Sequence, residues 1–115
     1  SSQIFSPATA KTVTEILTRV ARESPEHFPI DAVKELASFK IAAKSGTAQI
    51  AAGGKYSTTG YNASVIGYFP TDDPKFLVMV KLNQPEVRIW GSDTAGPIFA
   101  AIAKDLLYYY GVSPQ

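Results

Sequence analysis

Phe76-Leu77-Val78-Met79-Val80-Lys81-Leu82 is the stretch that most limits what this chain can fold into. All of it except Lys81 is apolar, and the apolar residues fall on both parities of the two-residue strand repeat. A strand of that kind has no wet face, so it is expected in the interior of a sheet with cover on both sides. The remaining sequence has to supply that cover.

Helical patterns stand at either end. Ser6 suits a cap and Pro7 a first helical residue, since its missing N–H would have no partner there. Val13, Ile16, Leu17 and Val20 follow at helical spacing, which predicts a helix over 6–22. Ser24-Pro25 stops it and a proline-bracketed loop follows. Asp31 is placed to cap a short helix over 31–37. The last helix is expected over 94–110, with Ile98, Phe99, Ile102, Leu106 and Tyr109 as its apolar stripe and Pro97 tolerated in its first turn. Gly111 and Pro114 end it.

Two more strands precede the apolar one. Phe39, Ile41 and Ala43 alternate with Lys40, Ala42 and Lys44 in a strand over 39–50. "ASVIGYF" gives a second over 63–69, and the third covers 76–82. "AAGGKYSTTGYN", rich in glycine and hydroxyls, reads as a loop between the first two. "PTDDPK" reads as a turn that makes the second and third strands an antiparallel hairpin. The order helix, short helix, three strands, helix predicts an α+β fold, with helices packed on an antiparallel sheet. At 115 residues the chain is one domain or a piece of a larger one, and a chain of that size can bury roughly 65% of its unfolded surface.

Composition removes several kinds of chemistry. The formal charge of +1 makes no electrostatic case for nucleic acid or an anionic membrane. There is no cysteine, so disulfides, thiol catalysis and thiolate metal sites are out. No His, Asp or Glu grouping has metal spacing, so no metal and no cofactor is expected. No run of about 18 apolar residues is present, so no membrane span is expected. The chain opens on Ser1, not Met, which reads as a trimmed or processed product.

Lys44-Ser45-Gly46-Thr47 breaks the first strand where Val or Ile would pack better. Gly46 weakens a strand interior and is used where a backbone or ligand must come close. Lys44 brings a charge that suits a carboxylate, and Ser45 and Thr47 bring hydroxyls that donate and accept. Alternation sends Lys44 and Gly46 to one face and Ser45 and Thr47 to the other, so all four can serve one site only at the border of a groove. A border strand also offers unpaired backbone groups that can hold an extended peptide. The plainer reading is an edge strand whose lysine blocks aggregation and whose hydroxyls face water.

The four residues resemble the Lys-Ser/Thr-Gly-Thr motif of the penicillin-binding proteins, which are serine transpeptidases. The surroundings agree. "KSGTAQIA", a Gly-rich loop, "ASVIGYFPTDDPKFLVMVKL" and "SDTAGPIFAAIAKDLLYYYG" are similar in order and spacing to the C-terminal run of the class B enzymes. "SPATAKTVTEIL" resembles the helix before the motif strand, and the similarity is least clear over 23–38. No serine here is followed by lysine three places later, and no Ser-x-Asn occurs. In this family those elements lie N-terminal to the motif. The chain therefore resembles the C-terminal portion of a serine transpeptidase domain, a partial penicillin-binding fold that would be inactive alone.

The resemblance implies a peptidoglycan D,D-transpeptidase whose partners are a D-Ala-D-Ala stem peptide, β-lactams and the missing N-terminal part of the domain. It implies an extracytoplasmic location in bacteria, with an anchor outside this chain. By the same resemblance, Lys44 contacts the serine of the Ser-x-Asn element, and Ser45 and Thr47 bind the carboxylate of substrate or drug. Thr47 N–H gives half of the oxyanion hole, and Gly46 leaves room for the substrate and the helix bearing the nucleophile. The competing expectation is a non-catalytic binding or assembly module with the same fold, whose mark would be a decayed motif.

Other signals carry less. His27 in its proline loop reads as surface, Asp72 and Asp73 as turn residues, and Trp90 as a packing residue between strand and helix. Gly53-Gly54-Lys55 lacks the spacing of a phosphate loop. Asn62-Ala63-Ser64 fits a glycosylation acceptor, which matters only in a eukaryotic secreted protein. Tyr108-Tyr109-Tyr110 reads as a half-buried helix end with surface left for a neighbouring domain.

Overall fold

A computed structural model describes residues 2–23 and 36–114 of the chain. Its elements are α1 (Pro7–Glu23), β1 (Ala42–Ala52), β2 (Lys55–Phe69), β3 (Phe76–Asn83) and α2 (Gly91–Tyr109). The helix expected over 31–37 falls, for residues 31–35, outside the described residues, as does His27. The strands form one antiparallel sheet in the order β1-β2-β3, with α helices on its two faces, which is the α+β architecture.

Register assigns the faces. Ala43 stands opposite Gly67 and Val78, and Ser45 opposite Val65 and Val80. These residues face α2, which packs on all three strands. The alternate set, with Lys44, Ile66 and Met79 in one row, faces the other way. There α1 packs on β1 and reaches β2 through the Tyr68 side chain. Thr14 and Tyr68 join their hydroxyls at 2.7 Å beneath α1.

Local chemistry accounts for the helix starts. Ser6 Oγ accepts from Thr9 N–H at 3.1 Å, a side-chain cap of the kind worth about 1 kcal/mol. α2 begins at Gly91 and not at 94, with no side-chain cap from Trp90. Asp93 lies in its first turn, where the unpaired N–H groups favour a carboxylate, and it pairs with Arg88 at 3.6 Å.

Three expectations need correction. The stretch 51–62 is not a loop: both strands run on through it to a two-residue turn at Gly53 and Gly54, whose φ values of 60° and 76° suit glycine. The register slips between Gln49 and Ala51. Opposite that slip, Ser57 Oγ accepts from Thr59 N–H and Gly60 N–H at 3.2 and 2.8 Å. The hydroxyls and glycines that read as loop therefore shape an irregular ribbon.

Among the described residues β3 has β2 on one side and no strand on the other. On its α2-facing side Val80 is buried and Val78 half-buried, and on the reverse Leu77 and Met79 are 71% and 60% exposed among the described residues. The stripe of α2 is also displaced. Ala95, Phe99, Ala100, Ala103 and Leu107 are buried, whereas Ile98 and Ile102 are 42% and 38% exposed. On α1 the line that turns inward ends in Ala21, and Val13 and Ile16 face out.

Size explains the rotation of α2. A Cβ at Gly67 would stand 2.6 Å from Phe99 Cζ and 2.8 Å from both Ala42 O and Ala43 Cβ. The Phe99 ring therefore rests on a strand position that has no side chain, and small residues on either side of it let the helix close on the sheet. Phe69 packs edge-on against Phe99 at 6.0 Å between centroids and at a tilt against Phe76 at 5.6 Å. Gly67→Val is expected to lower the unfolding free energy of the protein by about 1–3 kcal/mol, as overpacking does. Urea denaturation checks this, and an unchanged midpoint would contradict the contact.

Candidate functional site

The motif lies in the middle of β1, the other edge of the sheet. One flank of β1 is paired to β2, with Lys44 opposite Ile66, Ser45 opposite Val65, Gly46 opposite Ser64 and Thr47 opposite Ala63. The other flank has no strand partner among the described residues. Lys44 is exposed and Ser45, Gly46 and Thr47 are half-buried, so the four form a rim and not a core.

Each side chain is held differently. Lys44 Nζ donates to the carbonyl of Ser45 at 2.7 Å and makes no ion pair among the described residues. The Ser45 hydroxyl has no hydrogen-bond partner among the described residues. Thr47 Oγ1 accepts from the N–H of Gly91, the first residue of α2, at 3.0 Å.

Gly91 is pressed onto the sheet. A Cβ there would meet Ser64 O at 2.5 Å and Gly46 O at 2.6 Å. Those are backbone atoms of a paired ladder, which cannot turn aside. A Cβ on Gly46 would meet only Ser64 Oγ, at 2.9 Å, and a serine hydroxyl can rotate away. The packing within this chain thus demands glycine at 91 and not at 46.

The sequence pointed to the four motif residues but not to Gly91. Its only signal was "WGSD", read as a lead-in to the helix. Trp90, expected to pack, is 59% exposed beside it. Asp72 pairs with Lys40 at 3.2 Å and Asp73 with Lys75, far from the motif in the β2–β3 turn. A groove of about 740 Å³ lies between α1 and that turn, lined by Lys11, Glu15, Arg19 and Lys40 among others, and none of the motif residues reaches it. Asn62, next to the motif's partner residues on β2, has a buried Oδ1 without a hydrogen-bond partner among the described residues. No group of three metal-ligating side chains occurs among the described residues, and no helix there is long and apolar enough to cross a membrane.

An exposed ammonium, two hydroxyls and a bare strand edge together suit a ligand with an extended backbone and a carboxylate. The family described as "Penicillin binding protein transpeptidase domain" matches residues 1–104.

The chain belongs to the penicillin-binding protein transpeptidase family.

Its relatives place it with the class B enzymes. It is 34% identical over 117 residues to the peptidoglycan D,D-transpeptidase FtsI of Buchnera aphidicola, covering 100% of this chain and 19% of that protein. It is 33% identical to the stage V sporulation protein D of Bacillus subtilis, covering 98% of this chain and 17% of that protein. The chain thus spans about a fifth of the length of these two relatives. Among solved structures, the TP domain of Burkholderia pseudomallei penicillin-binding protein 3 superposes with a TM-score of 0.83 at 32% identity, over 100% of this chain and 34% of that one. Penicillin-binding protein 3 of Mycobacterium tuberculosis, solved in complex with ampicillin, gives 0.77 at 26% identity, over 94% of this chain and 25% of that one.

The two glycines at the site are expected to respond oppositely to a methyl group. Gly91→Ala should destabilise the protein by about 1–3 kcal/mol, since neither carbonyl can retreat. Gly46→Ala should change stability by less than about 0.5 kcal/mol. Thermal or urea unfolding of the two variants checks the contrast, and equal losses would contradict it.

Proposed function

We propose that this chain supplies the carboxylate-binding wall and half of the oxyanion hole of a peptidoglycan D,D-transpeptidase, in the C-terminal portion of its transpeptidase domain. The observation that carries the reading is the intact Lys44-Ser45-Gly46-Thr47 motif on a strand edge that is unpaired among the described residues. A non-catalytic module would be expected to have lost one or more of the four.

In this reading a D-Ala-D-Ala stem peptide lies along β1 as an added strand. Ser45 and Thr47 hydroxyls donate to its terminal carboxylate. The exposed Lys44 ammonium keeps the local field positive and contacts the serine of a Ser-x-Asn element. A nucleophilic serine attacks the carbonyl of the penultimate D-alanine, and Thr47 N–H donates to the oxyanion that forms. A donor of that kind is worth roughly 3 kcal/mol in the transition state. The terminal D-alanine leaves, and the acyl group passes from the serine to an amine of a second stem peptide, forming the crosslink. A β-lactam presents a similar carbonyl and carboxylate and acylates the same serine. No serine of the 115 residues has lysine three places later, so the nucleophile is supplied from sequence beyond these residues. The reaction takes place on the extracytoplasmic side of a bacterial membrane, where the stem peptides are.

Two outcomes test the proposal. The chain by itself should not be labelled by a fluorescent penicillin, whereas the full protein should. In the full protein, Lys44→Ala should slow acylation by on the order of 10²-fold, the scale of a lost proton-transfer or field contribution. Undiminished labelling of Lys44→Ala would overturn the site assignment.

A further inference from the structure

We infer that Gly91 is a positioning residue for the reaction: its backbone N–H fixes the Thr47 hydroxyl as the donor that discriminates ligands by their carboxylate. The inference rests on the reading that Ser45 and Thr47 face the carboxylate, and it divides the work unequally between them.

A hydroxyl has one proton and two lone pairs. Thr47 Oγ1 receives the Gly91 N–H at 3.0 Å, so one lone pair is committed and its proton is directed away from Gly91. The rotamer is doubly fixed, by the β-branched side chain and by this bond. Ser45 has neither constraint: its hydroxyl is unbranched and without a partner among the described residues. A pre-oriented donor loses less freedom when it meets a carboxylate than a free rotor does. A hydrogen bond accepted by the hydroxyl also strengthens the one it donates.

The bond cannot be reproduced by another residue at 91. The N–H reaches Thr47 because the Gly91 Cα sits against the carbonyls of Gly46 and Ser64, where any Cβ would lie 2.5–2.6 Å from them. The contact therefore joins three backbones, β1 at 46–47, β2 at 64 and the first residue of α2. A shift of α2 relative to the sheet would be felt at the Thr47 hydroxyl before it was felt at Lys44, whose ammonium donates to its neighbour Ser45 in the same strand.

The test uses the full protein and two probes, a fluorescent penicillin with its free carboxylate and the same compound as a methyl ester. The measured quantity is the ratio of their acylation rates. Replacing the Trp90–Gly91 amide by an ester removes the N–H without adding bulk. It is expected to lower the free-acid rate about tenfold, the size of one lost hydrogen bond, and to leave the methyl-ester rate unchanged. Thr47→Val should lose the same preference, Thr47→Ser should keep most of it, and Ser45→Ala should lose less than Thr47→Val. The inference is overturned if the amide-to-ester change lowers both rates alike or neither. It is overturned independently if Thr47→Ser is as indifferent as Thr47→Val, since the methyl group and not Gly91 would then be orienting the hydroxyl. If Thr47→Val keeps the preference for the free acid, the carboxylate reading itself fails.

Discussion

Helix α2 meets the sheet at two points where nothing larger than hydrogen fits, and the rest of the structure depends on that approach. At one end Phe99 lies over Gly67, against Ala43 and the carbonyl of Ala42. At the other, Gly91 lies on the carbonyls of Gly46 and Ser64. The two contacts fix both the height of the helix and its direction across the strands. The buried line Ala95, Phe99, Ala103, Leu107 follows from them, because only small residues and one ring fill a gap that narrow.

The same approach connects packing to chemistry. The motif strand is an edge, and a bare edge is normally a hazard that a protein covers or charges. Here it carries Lys44, which discourages pairing with a second copy, and it is stiffened from behind by α2 and β2. A rim of polar groups gains from such backing, since preorganised donors need no rearrangement when charge develops nearby. The hairpin that extends beyond the motif is ordered by its own turn and by Ser57, not by β3, which pairs with β2 only as far as Asn62.

Much of this was legible in the residues. The α+β order, the antiparallel pairing and the four-residue motif follow from periodicity, turn chemistry and resemblance. Hydrophobicity was used to choose buried faces, and in α2 the choice was made by size: Ile98 and Ile102 are more apolar than Ala95 and Ala103, yet they point outward. Glycine and hydroxyl content over 51–62 was read as loop, although Gly53-Gly54 is equally the turn of a tight hairpin.

The linear sequence determined the helix start at Ser6-Pro7, the turn at 70–75, the chemical character of Lys44-Ser45-Gly46-Thr47 and the family to which they belong. These are local matters, decided by a few adjacent side chains and their allowed backbone angles. Only the tertiary structure decided that the motif lies on an edge open among the described residues and that Gly91, 44 residues away, donates to Thr47. Such a contact has no local signature, because it depends on how closely two backbones approach, and that distance is set by everything packed between them.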